Sequence, residues 1–304
     1  MPASQSKLIS LKEAIAQWVH DGDTIYAAGF THLIPFAACH EIIRQGRKDL
    51  TLARATPDLV YDQMVAAGCA SKVIFSYIGN PGVGSLRILR AALESGQLAW
   101  EEYSHFGMIS RLQAGAAGLP FMPMNQTAAT DLEHANKAYR RVVDPYSGQE
   151  VIVVPALHPD VAIVHVQRAD AQGNAQIWGI IGEQKEAAFA ARRVILTAEE
   201  IVDDAVIRSD PNRTLIPEFI VSAVCHVPYA AHPSYTQGYY DRDNEFYLAW
   251  DQISQSRQSV QAYLDEWVYS LPDRAAYWEK LGQETHARLA VRPRLSEAIN
   301  YGQY

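Results

Sequence analysis

Residues 24–46 read TIYAAGFTHLIPFAACHEIIRQG, and the order of residue types in this stretch decides the fold class. Residues 24–28 form an apolar run of strand length that breaks at Gly29. Pro35 then opens a helical pattern through Ala38, Ile42 and Ile43 that stops at Gly46, with proline at the start and glycine past the end. The stretch is therefore a strand, a loop and a helix. The unit recurs: residues 50–55 precede a helix over 57–67, and residues 72–77 precede a glycine-rich loop and a helix over 86–95. Strands alternating with helices at this spacing imply right-handed crossovers, and so an α/β fold with an open, mainly parallel sheet and flanking helices.

Upstream, Ser10 and Glu13 have the spacing of a capping box, and Leu11, Ile15, Trp18 and Val19 share one face of a helix that ends at Asp21 and Gly22. Downstream, a helix is expected over 105–118, where Ala114, Gly115, Ala116, Ala117 and Gly118 offer a small-residue face to a strand. Residues 121–148, FMPMNQTAATDLEHANKAYRRVVDPYSG, are polar and interrupted by proline. They read as an irregular connection, long enough to point to a functional or interfacial loop. Strands at 151–154, 160–166, 194–197 and 219–224 continue the same sheet, with helices over 182–191 and 260–268. No shift in composition marks a boundary, so one domain over 1–304 is expected, with a polar tail from about 287.

Composition narrows the function classes. A chain of 304 residues that is 48% hydrophobic and 20% charged is long enough to bury a large core. Its formal charge of -8 argues against an electrostatic grip on nucleic acid or an anionic membrane surface. No segment approaches the roughly 18 uninterrupted apolar residues of a membrane span, and the N-terminus carries no apolar leader, so a cytoplasmic protein is expected. Cys39, Cys69 and Cys225 are odd in number and widely spaced, as befits a reducing compartment. The histidines lack HxxxH or HExxH spacing, and Asp241 to Glu245 lacks the glycine of a calcium loop, so no metal is expected.

Two loops carry the chemistry. Gly79-Asn80-Pro81-Gly82-Val83-Gly84-Ser85 lies between a strand and a helix, where amides converge and the helix N-terminus favours an anion or oxyanion. A dinucleotide fingerprint would need glycine where Arg87 stands, although Glu101 lies about 20 residues on. A plain glycine-rich turn is the competing reading. The second loop, Gly29-Phe30-Thr31-His32, leaves the first strand at the edge where parallel sheets place ligands. Phe30 and His32 can equally be a packed aromatic and a satisfied core histidine. Glu101, Glu102, Ser104 and His105 follow the fourth strand and permit an acid/base reading, against which stands the usual solvation of paired glutamates. No GxSxG elbow, Walker A motif or cysteine with a nearby histidine supplies a nucleophile.

Taken in order, Asp21-Gly22-Asp23 into Ala28-Gly29-Phe30-Thr31, then Asn80-Pro81-Gly82-Val83-Gly84, then Glu101 to His105 and Gly115-Ala116-Ala117-Gly118-Leu119-Pro120, resemble the α subunit of family I coenzyme A transferases. Ile177-Trp178-Gly179, Glu199-Glu200-Ile201, Ala231-His232-Pro233-Ser234 and Gly238-Tyr239-Tyr240-Asp241 resemble its glutaconate and 3-oxoadipate branch. The two glycine-led loops are most similar to those of the 3-oxoadipate enzymes. The resemblance implies the open α/β CoA-transferase fold, with an active site at the junction with a β subunit. It also implies a nucleophilic glutamate on that β subunit, which passes through an acyl anhydride and a glutamyl-CoA thioester. No catalytic residue is then expected in this chain, and no metal or cofactor beyond coenzyme A as substrate. By the same resemblance Asn80 and the amides around Gly82, with Gly84 and Ser85, supply oxyanion and substrate contacts. Phe30, Thr31 and His32 form the second such loop, and Ser104 and His105 a third element. His105 stands where many relatives carry Gln, and Ala28 replaces the first glycine of a Gly-Gly-Phe. Arg87 is the candidate for a dicarboxylate's free carboxylate. The implied assembly is α2β2 or higher, acting on acyl-CoA and a carboxylic acid, with 3-oxoadipate and succinyl-CoA first. Glutaconate, a CoA-dependent hydrolase or ring-opening reaction, and a non-catalytic ligand-binding α/β protein are the alternatives.

Overall fold

A computed structural model describes residues 5–80, 83–124 and 131–291. The capping box opens α1 (Leu11–Trp18): the Glu13 amide donates to Ser10 Oγ at 3.2 Å and the Ser10 amide to the Glu13 carboxylate at 3.0 Å. Four strand–helix units follow, namely β1 (Thr24–Ala27) with α2 (Phe36–Arg44), β2 (Leu50–Ala53) with α3 (Leu59–Ala66), β3 (Ala70–Phe75) with α4 (Arg87–Glu94), and β4 (Ala99–Glu102) with α5 (His105–Ala116). β5 (Phe121–Met124), α6 (Leu132–Ala135), β6 (Arg140–Val143) and β7 (Glu150–Pro155) come next. The chain then returns to the main sheet through β8 (Val161–Ala169), β9 (Ala175–Gln176), α7 (Gln184–Ala190), β10 (Arg193–Ile201), α8 (Asp204–Ser209), β11 (Thr214–Ile216) and β12 (Ala223–His226). It ends in α9 (Asn244–Ile253), α10 (Arg257–Leu264) and α11 (Arg274–Leu289), the last broken at Gly282.

Seven strands run parallel in the order β4-β3-β2-β1-β8-β10-β12, and β9 with β11 extends β8 antiparallel. Ile25 of β1 sits opposite Leu52 on one side and Val161 on the other. Alternate residues of β1 enter different cores. Ile25 and Ala27 pack with α1 to α4 and with α9 and α10, while Tyr26 packs with α5 and α7. A strand buried on both faces reads as a continuous apolar run, which is why these units were legible.

Several expectations are refined. Residues 121–148 are not merely irregular, and residues 151–154 do not continue the main sheet: β7 is the centre of a separate antiparallel sheet in the order β5-β7-β6. Pro123 is tolerated because β5 is an edge strand, and β6 is exposed at every residue, so it carries no alternation to read. Residues 125–130 of this stretch lie outside the described residues. The strand expected over 219–224 begins only at Ala223, after a 3-10 turn at Glu218–Ile220. The stretch expected as helix over 260–268 is helical throughout, α10 passing at Leu264 into a π-helical turn, Asp265–Tyr269. Within the segment expected as a tail from about 287, Arg288 donates to Asp243 at 2.9 Å and Leu289 is buried; residues 292–304 lie outside the described residues.

At Gly115 the small-residue face of α5 meets α7 and the segment after β7, while the helix also packs against β5 and β7. A Cβ on Gly115 would strike the Leu157 carbonyl and come within 3.1 Å of the Ala190 side chain on α7. Cys39, Cys69 and Cys225 are free and buried, and burial pushes each thiol up to about 12. No helix among the described residues is long and apolar enough to cross a membrane.

Candidate functional site

Parallel strands deliver their following loops to one edge of the sheet, so the loops after β1, β2, β3 and β4 stand in a row. In the first, φ is positive at Gly29 (127°), Thr31 (54°) and Leu33 (58°). For Thr31, a β-branched residue, this conformation is costly and persists only under external constraint. The constraints are visible. Ser234 Oγ donates to the Thr31 carbonyl at 2.8 Å, and the Leu33 amide donates to the Tyr235 carbonyl at 3.0 Å. His32 lies 2.9 Å through Nδ1 from the Ile180 carbonyl, and its Nε2 accepts the Gln237 amide at 3.0 Å. Burial holds that imidazole at about 4, hence neutral, with Nδ1 as the donor. With both nitrogens occupied and the residue fully buried, His32 fastens three loops together. Phe30 remains 38% exposed beside Gly182, where a Cβ would come within 2.7 Å of its own. Thr31 Oγ1 is buried and has no hydrogen-bond partner among the described residues.

Beneath this loop lies Arg54, 1% exposed, whose guanidinium donates to the carbonyls of Ala27 (2.9 Å), Gly29 and Thr56 (2.8 Å). Thr56 Oγ1 lies 2.8 Å from Nε2 of the exposed His105, which starts α5. Ser104 is the N-cap of that helix, and its hydroxyl accepts the Gly107 amide at 2.9 Å. Glu101 is tied to Lys72 at 2.5 Å, to Tyr103 at 2.8 Å and to Arg111 at 3.4 Å. Burial raises its carboxyl, but these donors outweigh burial and hold it below the usual range. Glu101 is thus a buttress of β3 and β4.

The loop after β3 forms a second group. Its Gly82 lies outside the described residues. Asn80 is 7% exposed, and its Nδ2 is buried with no partner among the described residues. Unmet donors of this kind are costly unless a ligand completes them. The Ser85 amide donates to Asp251 Oδ1 at 3.2 Å, and Gly84 packs so closely that a Cβ would lie 2.7 Å from the Asp251 Cβ. Arg87 is itself paired with Asp251, Nη2 to Oδ2 at 2.9 Å and Nε to Oδ1 at 3.2 Å. The negative charge that the N-terminus of α4 favours comes from inside the protein: Asp62 of α3 accepts the Leu89 amide at 2.7 Å and Trp250 Nε1 at 2.9 Å. Among the described residues, no hydrogen bond or ion pair runs directly between this group and that of Phe30, Thr31, His32 and His105.

Sequence reasoning missed Arg54, Thr56, Asp251 and the knot around Glu199. Glu199, at the end of β10, accepts His165 Nε2 at 2.7 Å, the Tyr229 amide at 2.7 Å and the Tyr240 hydroxyl at 2.8 Å. Burial opposes its charge, but these donors keep its carboxyl below the ordinary value. The knot holds residues 229–240, the loop that clamps Thr31 and His32. The one available signal was a charged residue, Arg54, directly after β2 and three residues before Pro57. A cavity of about 880 Å³ lies elsewhere, between α1, α2, the end of β12 and α11, and none of the candidate residues lines it.

Comparison with known proteins bears directly on this edge. The chain matches the family described as Coenzyme A transferase over residues 8–226. It is 48% identical to the α subunit of the 3-oxoadipate CoA-transferase of Pseudomonas knackmussii over 281 residues, covering 91% of this chain and 99% of that one. It is 37% identical to the α subunit of the glutaconate CoA-transferase of Acidaminococcus fermentans over 313 residues, covering 97% and 98%. The crystal structure of that glutaconate enzyme superposes with a TM-score of 0.90 at 36% identity, covering 95% of this chain and 96% of that one. An open parallel sheet with its loops gathered at one edge, matched over nearly its whole length, places this chain among the α subunits of the family I coenzyme A transferases.

Proposed function

We propose that the chain is the α subunit of a heteromeric transferase that moves coenzyme A from succinyl-CoA to 3-oxoadipate, with the nucleophilic glutamate on a separate β subunit. The observation that carries the reading is the buried Nδ2 of Asn80 at the sheet edge, a donor without an acceptor among the described residues, in a chain of this family. The 3-oxoadipate relative, similar over nearly the whole chain, supports the substrate. In the proposed reaction a partner carboxylate attacks the thioester carbonyl and displaces the CoA thiolate, leaving a mixed anhydride. The thiolate then attacks the glutamyl carbonyl, releases the first carboxylic acid as its carboxylate, and leaves a glutamyl-CoA thioester that the acceptor reverses. Each addition creates an oxyanion. This chain's part is to present preorganised donors to it, Asn80 and the amides of its loop on one side and the Phe30–Thr31 loop on the other. Exposed Phe30, Tyr77, Phe106 and Ile181 are the apolar rim that the partner would cover.

The test is co-expression with a β subunit, followed by assay of succinyl-CoA with 3-oxoadipate and with acetoacetate. The complex is expected to be active and mixed in composition, α2β2 or larger, and the isolated chain inactive. Borohydride should trap the thioester on a glutamate of the partner. Turnover by the isolated chain, or trapping on Glu101 or Glu102, sinks the division of labour. Equal kcat/KM for 3-oxoadipate and acetoacetate refutes the substrate and leaves the transferase chemistry standing.

A further inference from the structure

The loops after β1 and β2 share one buried anchor. Arg54 has no carboxylate within hydrogen-bond reach among the described residues; its three bonds all go to main-chain carbonyls. A guanidinium in that position is expensive to bury; the buried carboxyls of Asp58 and Glu183 lie farther off, where burial raises both and the charge of Arg54 offsets part of that rise. What the arrangement achieves is orientation. In a planar trans peptide the carbonyl and the following N–H point to opposite sides. Turning the Gly29 carbonyl inward onto Arg54 therefore turns the Phe30 N–H outward, away from the buried guanidinium. Holding the Thr56 carbonyl inward fixes the residue whose hydroxyl meets His105 at 2.8 Å. One buried group thus sets two neighbouring loops and, through Thr56, the first residue of α5.

We propose that Arg54 is a positioning residue of the transfer site: from beneath the sheet edge it aims the Phe30 amide at the developing oxyanion and, through Thr56, fixes the imidazole of His105. The proposal rests on the acyl-transfer reading above. Arg54→Lys keeps charge and stem but cannot reproduce three forked bonds, and Thr56→Val removes the hydroxyl at nearly constant shape. In the assembled complex, Arg54→Lys is expected to lower kcat by about 10- to 100-fold with KM changed less than about threefold, the signature of contacts realised in the transition state. Thr56→Val should lower kcat by about tenfold, and Thr56→Ser should restore it. Wild-type kcat in a folded, assembled Arg54→Lys complex overturns the proposal, as does a loss confined to KM. If Arg54→Lys does not fold, the Thr56→Val and Thr56→Ser pair decides, with unchanged kcat in Thr56→Val as the refuting result. If the wild-type complex has no transferase activity, the functional reading fails. The His105 ring resonance, compared by NMR between the wild type and Thr56→Val, then decides the positioning: a displaced resonance upholds it and an unchanged one overturns it.

Discussion

Asn80 and Arg87 lie seven residues apart in sequence and differ in what they have left to offer. Asn80 holds a buried amide that donates to nothing among the described residues, so its loss should appear in the chemical step. Asn80→Ala is expected to lower kcat by roughly 10²-fold while CoA affinity, measured by calorimetry, changes little. An unchanged kcat would make the loop a turn and nothing more. Arg87 has its guanidinium on Asp251, and the same carboxylate holds the Ser85 amide. If Arg87 serves to brace the loop, Arg87→Ala and Asp251→Ala should have the same kinetic effect. If Arg87 instead binds a substrate carboxylate, freeing it by Asp251→Ala should lower the KM for 3-oxoadipate, so steady-state kinetics of the two variants separate the roles. Asn80 could be picked out of the sequence because it sits in a glycine-rich loop between a strand and a helix. Arg54 could not, because a single charge at the end of a strand is ordinarily a surface residue, and only the folded chain shows three carbonyls converging on it.

Among the elements, α5 is the most sharply constrained by one residue. Gly115→Ala would drive a methyl group into the Leu157 carbonyl and against Ala190, and should cost about 1–3 kcal/mol as α5 is pushed off α7. Gly118 has φ of 69° with nothing near its missing Cβ, so Gly118→Ala should cost only the left-handed backbone penalty, about 1 kcal/mol. Urea unfolding of the two variants checks the order, and equal losses would mean that α5 can shift freely. The first β–α units were legible because β1 and β2 are apolar nearly throughout and their helices begin and end with recognisable residues. The antiparallel sheet was not. Its middle strand β7 looks like any buried strand, one of its neighbours contains Pro123, and the other, Arg140–Val143, is exposed along its whole length. Pairing partners for such strands are set by tertiary packing, which leaves no periodicity behind.

The whole molecule carries a load of neutral imidazoles. Burial holds His32 at about 4, His40 at about 3 and His232 at about 4, whereas the unfolded chain takes up these protons near the ordinary value of 6.5. Between those limits the unfolded state binds more protons, so stability falls as pH drops from about 6.5 toward 4. Asp243 acts in the same sense lower down: burial alone would raise its carboxyl, but His232 and Arg288 hold it below the usual range, so further stability is lost as pH falls below the ordinary aspartate range. Denaturant unfolding at pH 7 and pH 5 should show a loss of about 2 kcal/mol per ring at the lower pH; equal midpoints would place the three rings in contact with solvent. The cysteines carry a practical consequence. Each of the three thiols is shielded from water and held as the protonated, unreactive form at neutral pH. Maleimide dyes should therefore pass over the native chain, and one cysteine introduced at a bare surface position such as Tyr146, 98% exposed, would accept a single fluorophore. Association with a partner chain could then be followed by energy transfer without first removing any native thiol.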